Sequence, residues 1–486
     1  TPRQVISFMV VGAALIVLLV TQVHALILFA QHIPIALNDP YTLNYGEGPL
    51  LDQAVRLARG ENIYPPDLAQ PPYTITNYPP LYVLAQVPFV DHFGAAFWYG
   101  RLISLISALA AALFLALVVQ TITHDGIAAL AAGLTLPAIP YIYFWSALAR
   151  IDSLALALSL AGLWVIARWY KRRWGLILSV LLLTAAVYTR QTYLLTAPLA
   201  AFVYVWARGE RFRALLFAVL LGCVVLGLFA VLEVTTEGGI FFHVITANVN
   251  ALNPDLIQHY LDEIRFNLPI FLALGGLYLI VGLIWGRPAW WLIAPYCLGG
   301  VIVALTISKV GSDVNYLFEL SAAFCLAAGG LIALLRRVFP LRAVVLVLLA
   351  GAVYMATQLT LTGYYPILRV DAKNAPQLNQ LVDVIRSTDA PILADEDMGL
   401  LVLNGKQIEL QPFEMSQLAE AGLWNQQPFL DALASGAYPV ILLYQPDSNP
   451  GLRFERWTPE MLALINNDYR PDIQVAGRFV YRYAGP

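Results

Sequence analysis

Long apolar runs separated by short polar connectors make up most of the chain before residue 363. Many of the runs are roughly 17 to 25 residues long, the length that an α-helix needs to cross the hydrocarbon core of a bilayer. The pattern predicts about eleven transmembrane helices. Their windows are 5–31, 96–121, 126–147, 151–169, 174–189, 192–206, 214–235, 268–286, 289–308, 318–335 and 341–361.

The composition agrees with a polytopic membrane protein. Of the 486 residues, 59% are hydrophobic and only 12% are charged, and the mean hydropathy is +0.69. These values are too apolar for a soluble domain of this length. The three cysteines lie inside apolar runs, so no disulfide framework is expected. No basic stretch is long enough to predict nucleic acid as a partner.

Lysine and arginine clusters indicate the orientation, because cytoplasmic connectors carry an excess of these residues. The clusters fall in alternate connectors, which we therefore expect to face the cytoplasm. This places the N-terminus inside and the C-terminus outside, in an inner or plasma membrane. The residues concerned are Lys171, Arg172, Arg173, Arg208, Arg211, Arg213, Arg287, Arg336, Arg337 and Arg342.

A small α/β domain is predicted after the last apolar run. From about residue 363 the composition becomes that of a soluble domain. Residues 391–394, 438–444 and 472–483 have strand patterns, and residues 375–387 and 459–467 have helix patterns. The sequence thus predicts a transmembrane domain over 1–362 and an extracytoplasmic domain over 363–486.

The first outer loop, residues 32–95, interrupts the apolar pattern with polar residues, prolines and tyrosines. Asp39 and Glu47 lie just beyond the end of the first apolar run. Residues 48–60 predict an amphipathic helix on the membrane surface, with Asp52, Gln53, Arg56 and Arg59 on its wet face. The two carboxylates are candidates for proton transfer.

Other polar residues lie at helix ends on the same predicted side. Since the positive-inside rule predicts few cations there, these cations require a reason, and a bound anion near the outer surface would supply one. The residues at these outer ends are Arg150, Asp152, Arg190, Gln191 and Lys309.

Four segments in this order resemble the GT-C superfamily of integral-membrane glycosyltransferases, which includes protein O-mannosyltransferases and the aminoarabinose transferase of lipid A. The first, YGEGPLLDQAVRLARGENIYP, is similar to the acidic first outer loop of the family, although Gly46 stands where many members have Asp. The others are ALARIDSLALAL, TRQTYLLTAPLA and KVGSDVNYLFEL. The resemblance implies a GT-C-like helical fold over most of the first 320 residues.

The resemblance also implies a function. A sugar would pass from a polyprenyl-phosphate donor to an acceptor (a glycan, lipid or protein) on the outer face, usually with inversion. Glu47 or Asp39 would be the general base, and Asp152 would join a divalent metal, Mg²⁺ or Mn²⁺, although some members work without one. The donor phosphate would be held by Arg150, Arg190, Gln191 and Lys309.

Each residue also has a purely structural interpretation. Asp39 can begin a turn and Glu47 can favour a helix start, while Arg150 can pair with Asp152 and Arg190 can extend to the interface. His243 and His259 have no ligand-like spacing, so we expect them to be solvated or packed in loops. As a whole, the chain could instead be a transporter, but its polar residues gather on one face rather than near mid-membrane. A non-catalytic subunit stays an alternative, because a degenerate site can keep the same scaffold.

Overall fold

Apolar helices form most of the first 338 residues. The computed structural model describes residues 2–248, 250–338, 375–445, 451–475 and 477–485. The helices are α1 (Pro2–Asn38), α2 (Glu47–Ala58), α3 (Leu81–Phe93), α4 (Trp98–Thr123), α5 (Gly126–Thr135), α6 (Pro140–Trp145), α7 (Asp152–Trp169), α8 (Arg173–Thr189), α9 (Thr196–Ala207), α10 (Arg211–Thr235), α11 (Gly239–Phe241), α12 (Pro254–Asn267), α13 (Pro269–Trp285), α14 (Trp290–Ala304) and α15 (Phe318–Val338).

The predicted windows up to 318–335 coincide with helices, although 126–147 is divided between α5 and α6. In the described ranges, five helical segments are long and apolar enough to cross a membrane, or six if the bent pair α12–α13 is one span. The chain is therefore an integral membrane protein, but the predicted count of about eleven spans is not confirmed. The eleventh window, 341–361, and the domain boundary at 362 lie outside the described residues.

Helices α7 and α15 are the most buried of the apolar helices in the membrane domain. Along α15 the most apolar window is entirely buried, whereas α10 exposes most of its apolar surface, as expected for a helix that faces lipid. Small residues allow neighbouring helices to approach closely. Gly162 of α7, for example, lies against Leu183 of α8, because a Cβ there would come within 2.8 Å of the leucine side chain.

Helix α2 forms as predicted, but its polar face is not wet. Asp52, Gln53 and Arg56 are buried, and Arg59 alone of the four predicted residues remains exposed. The C-terminal domain packs on this helix and contacts Asp52 through the backbone of Ile408, whereas Arg56 donates to Oγ1 of Thr74 and to the carbonyl oxygen of Asn62 within the first outer loop. A Cβ on Gly48 would lie only 2.5 Å from the backbone nitrogen of Gly399. The first outer loop is therefore enclosed between the membrane helices and the C-terminal domain.

The C-terminal domain is α/β, as predicted. Its sheet has the order β1 (Ile392–Ala394), β2 (Val440–Tyr444), β4 (Arg478–Tyr483) and β3 (Tyr469–Val475), with β1 parallel to β2 and the other pairs antiparallel. The single strand predicted over 472–483 is in fact part of the β3–β4 hairpin. The helices of the C-terminal domain are α16 (Asn379–Ser387), α17 (Met398–Leu403), α18 (Pro412–Glu420), α19 (Gln427–Ala434), α20 (Leu452–Arg456) and α21 (Pro459–Asp468).

His243 joins two outer loops and is buried, which matches the loop-packing interpretation. Its Nδ1 accepts a hydrogen bond of 3.0 Å from the backbone nitrogen of Thr76, and its Nε2 lies 2.9 Å from the carbonyl oxygen of Pro65. Nδ1 must be unprotonated to accept this bond, so the ring is neutral with its proton on Nε2. Burial lowers the pKa of His243 to about 4.

We predict that His243 makes the stability of the protein depend on pH. Its pKa is lower in the folded state than the ordinary 6.5, so the unfolded state binds more protons between these values. Stability should therefore fall as the pH falls from about 6.5 to 4, by up to about 3 kcal/mol. Thermal unfolding across this range should show a weaker pH dependence for His243→Gln than for wild type. The exposed His259→Gln variant should retain the wild-type dependence.

Candidate active site

The guanidinium of Arg101, in the first turn of α4, organises the first outer loop. The side chain is completely buried, and it donates hydrogen bonds to three backbone carbonyl oxygens of the chain leaving α1. The distances are 2.8 Å to Ala36, 2.6 Å to Asp39 and 2.5 Å to Tyr41. One cation therefore fixes the path of the loop as it leaves the membrane domain.

Glu47 completes this arrangement as the buried counter-ion of Arg101. Its two carboxylate oxygens accept hydrogen bonds of 2.9 and 2.8 Å from the guanidinium. They also accept bonds of 2.7 Å from the backbone nitrogens of Leu43 and Ala149. With four donors around it, the carboxylate links the loop, α4 and the segment before α7. This geometry is that of a structural ion pair.

A cavity of about 350 Å³ lies between the first outer loop and the C-terminal domain. Most of its polar lining consists of amides, phenols and a few charges, the groups that bind sugar hydroxyls and phosphates. Phe413 of the C-terminal domain closes one wall against Gly311, which has φ +82° and where a Cβ would meet the ring at 2.4 Å. The polar lining includes Asn44, Tyr45, Gln53, Asn77, Tyr78, Arg150, Asn248, Asn250, Asp313, Asn315, Tyr316, Gln411, Glu414, Glu455 and Arg456.

Arg150 provides a cation in the wall of the cavity. Its Nη1 donates a 3.3 Å hydrogen bond to Oδ1 of Asn44, and its guanidinium lies 5.2 Å from the ring of Trp145. Within the described ranges, its buried Nε has no hydrogen-bond partner. A Cβ on Gly46 would lie 1.2 Å from Nη1. The absence of a side chain at Gly46 thus makes room for this guanidinium.

Asp152 and Arg190 form a buried ion pair beside the cavity. Asp152 also accepts hydrogen bonds from Nε1 of Trp145 at 2.6 Å and from Nδ2 of Asn315 at 3.2 Å. Arg190 stacks on Tyr316 at 4.4 Å. These donors surround both carboxylate oxygens with N–H groups and one full positive charge. Asp152 therefore does not fit a divalent metal, and no cluster of three metal-ligating side chains occurs in the part of the chain that the structure describes.

Asp39, Gln191 and Lys309 do not line the cavity, although Gln191 and Lys309 bond to residues that do. Gln191 donates a 3.1 Å hydrogen bond to the carbonyl oxygen of Asn77, and Lys309 donates one of 3.2 Å to the carbonyl oxygen of Asn248. Both asparagines line the cavity. Asp39 accepts a bond of 2.9 Å from the backbone nitrogen of Tyr41, and burial raises its pKa. Gln191 and Lys309 are therefore placed to position the cavity wall.

The structure adds carboxylates that the sequence analysis did not select. Asp313 lines the cavity, its Oδ1 accepts a 2.7 Å bond from the backbone nitrogen of Val314, and burial raises its pKa. It belongs to the KVGSDVNYLFEL segment, so the family resemblance could have identified it. Glu414 accepts a 2.7 Å bond from the phenol of Tyr45. No sequence signal indicated Glu414, because its place at the cavity depends on domain packing.

This arrangement of helices, enclosed first loop and capping domain is the GT-C fold, as the resemblance predicted. The chain is similar to ArnT from Cupriavidus metallidurans in the apo state, with a TM-score of 0.58, 13% identity, and 99% of this chain and 98% of that chain covered. The chain is also similar to ArnT from Cupriavidus metallidurans bound to undecaprenyl phosphate, with a TM-score of 0.57 and 14% identity. This match covers 95% of this chain and 97% of that chain.

A second similar structure comes from an archaeon. The oligosaccharyltransferase AglB from Archaeoglobus fulgidus, in complex with an inhibitory peptide and a dolichol-phosphate, has a TM-score of 0.51 and 10% identity. The match covers 94% of this chain and 74% of AglB. No family model matches the sequence, and no curated protein matches it. At these identities the similarity establishes the fold.

We predict that Glu47→Gln destabilises the protein. The substitution keeps the size of the side chain but leaves the Arg101 guanidinium buried without a counter-ion, which should cost about 3 kcal/mol or more. Thermal unfolding of the purified protein in detergent would measure the loss. Asp262→Asn is the control, because Asp262 and its partner Arg265 are both exposed and the loss of this pair should cost little. A Glu47→Gln variant as stable as wild type would contradict the structural role.

Proposed function

We propose that this protein is a glycosyltransferase that moves a sugar from a polyprenyl-phosphate-linked donor to an acceptor on the extracytoplasmic face. The observation that carries the proposal is the guanidinium of Arg150 in the wall of a polar cavity on a GT-C fold. Two proteins with this fold have been solved with undecaprenyl phosphate or dolichol-phosphate bound. The acceptor is a glycan, a lipid or a protein.

Arg150 is the group that we assign to the donor phosphate. Its planar guanidinium carries several N–H donors in a fork that matches phosphate oxygens. Since Asn44 takes only one hydrogen bond from it, donors remain for a ligand. As the bond between the sugar and the phosphate breaks, negative charge grows on the phosphate, and a fixed cation beside it stabilises the transition state.

Arg190 contributes less directly than Arg150 to holding the donor phosphate. Its charge is balanced by Asp152, and it does not line the cavity. We therefore assign the Arg190–Asp152 pair to holding Asn315 and Tyr316 in the cavity wall, through the hydrogen bond to Asn315 and the stacking on Tyr316.

The carboxylate that we assign as general base is Asp313. It lines the same cavity as Arg150, and only its Oδ1 has a hydrogen bond from the described residues. Its raised pKa brings it closer to that of an effective base near neutral pH. In the proposed reaction the acceptor oxygen bonds to the anomeric carbon while the carbon–phosphate oxygen bond breaks. The acceptor's proton passes to Asp313, and polyprenyl phosphate leaves, with inversion.

Glu47 and Asp39 remain predictions as the base, and the geometry favours them less. Neither side chain lines the cavity, and Glu47 already accepts four hydrogen bonds. No observation favours a transporter or a non-catalytic subunit. A transport site would lie midway along the membrane helices, whereas this cavity lies beside the start of α7.

We predict that Arg150→Gln lowers kcat/KM for sugar transfer by about 100- to 1000-fold, because a fixed donor to the developing charge is lost.

We predict that Asp313→Asn lowers kcat by about 100-fold or more, with little change in undecaprenyl phosphate binding. The assay uses polyprenyl-phosphate sugars and the full-length protein in nanodiscs. The matched controls are Arg59→Gln and Asp472→Asn. Both residues are exposed and neither lines the cavity, so these variants should transfer normally.

Two results would contradict parts of this proposal. If Asp313→Asn transfers normally while folded Asp39→Asn or Glu47→Gln is inactive, the base is in the first loop. If undecaprenyl phosphate binds equally well to wild type and Arg150→Gln, the cavity cation does not hold the donor phosphate. Arg150→Lys should restore part of the activity, since it returns the charge without the fork.

A further inference from the structure

A second large cavity lies at the opposite ends of the membrane helices. Its volume is about 690 Å³, and it is enclosed by the ends of α4, α7 and α9 and by the connector before α8. Helix α7 begins with Asp152 beside the candidate active site and ends with Trp169 at this cavity. At a rise of 1.5 Å per residue the two sites are separated by about 27 Å along this helix.

Four cations line this second cavity, and no carboxylate lines it in the described part of the chain. The cations are Arg168, Lys171, Arg172 and Arg208. Lys171 lies 3.9 Å from Glu210, a loose contact at the protein surface. The three arginines form no ion pair with any described residue. The second cavity is thus far more positive than the first, which contains three carboxylates.

Cations are expected near cytoplasmic helix ends for topological reasons, and they also stabilise helix C-termini. In a neighbouring cavity the cations have partners of this structural kind. There Arg336 pairs with Asp125, and Arg337 donates a hydrogen bond to the carbonyl oxygen of Trp285. In the second cavity the hydrogen bond of Arg208 goes to a neutral group instead. Arg208 donates from Nε to the phenol of Tyr170 at 3.2 Å, which fixes its position without neutralising its charge.

Aromatic and apolar groups continue the second cavity towards lipid. Trp174 lines it and is 49% exposed, and one and two turns further along α8 Ile177 and Leu181 are each 54% exposed. These three side chains share one face of α8 because they are spaced by three and four residues. An acyl chain held on this face would place its headgroup among the cations.

We propose that this basic cavity binds the phosphate headgroup of an anionic lipid, on the membrane face opposite the candidate active site. The cations supply the attraction, since each Lys or Arg near a membrane surface favours anionic lipid. Tyr170 and Tyr204 hold Arg208 in place by cation–π contacts at 6.0 Å. The apolar face of α8 takes the lipid tail. This site is independent of the proposed sugar transfer.

The test measures lipid binding to the full-length protein by native mass spectrometry, with phosphatidylglycerol and phosphatidylcholine titrated separately. Wild type should bind phosphatidylglycerol about tenfold or more tightly than phosphatidylcholine, and Arg168→Gln/Arg172→Gln should lose this preference. Arg173→Gln/Arg211→Gln is the matched control. It removes the same charge from the same end of the helices, but neither residue lines the cavity.

Further outcomes distinguish the sources of phosphate and exclude misfolding. Arg168→Lys/Arg172→Lys should retain the preference, since the charges remain, and a folded variant that loses it would argue against a charge-based site. Equal losses in the two Gln pairs would overturn the proposal, because binding would then follow net charge alone. If inorganic phosphate displaces the lipid at equal concentration, the ligand is a soluble phosphate and the lipid assignment is wrong.

Discussion

The buried pair of Arg101 and Glu47 is the interaction on which the candidate active site depends. Two oppositely charged side chains with no solvent exposure are stable only when their hydrogen-bonding groups are well satisfied. Here two backbone segments satisfy them: Arg101 donates to the carbonyls of Ala36, Asp39 and Tyr41 in the first outer loop, and Glu47 accepts from the amides of Leu43 in that loop and of Ala149 before α7. The charges therefore determine where the loop begins and where the segment before α7 lies.

This constraint places Asn44, Gly46 and Arg150 side by side. Gly46 immediately precedes Glu47, and Arg150 immediately follows Ala149, so the two anchored positions bring their neighbours together. The absence of a side chain at Gly46 then leaves space for the guanidinium. A cation occupies the position where the family resemblance suggests an acid. In the proposed function the chemistry of the cavity is therefore organised around phosphate charge, and its carboxylates come from Asp313 and from the C-terminal domain.

The apolar pattern was sufficient to predict the long apolar helices and the main strands, because lipid-facing and buried segments must be apolar, but it did not predict α12 or the short helices between β1 and β2. The distribution of Lys and Arg predicted that Glu47, Arg150, Asp152 and Arg190 share one side of the membrane, and the structure brings them together. The sequence pattern could not show that Arg101 pairs with Glu47 or that Arg190 pairs with Asp152, since both pairs join positions distant in sequence. The wet face assigned to α2 was wrong because later segments cover it: Asp52 contacts the backbone of Ile408, more than 300 residues further along the chain, and Arg56 donates to Thr74 of the first outer loop.

The most direct measurement is an experimental structure of the protein in nanodiscs with undecaprenyl phosphate. The account predicts density for the phosphate within hydrogen-bonding distance of the Arg150 guanidinium, beside Gly46, with the lipid tail leading into the membrane. Asp313 should face the same space. Phosphate density at Lys309 or at the Arg190–Asp152 pair, with the cavity beside Arg150 empty, would contradict it.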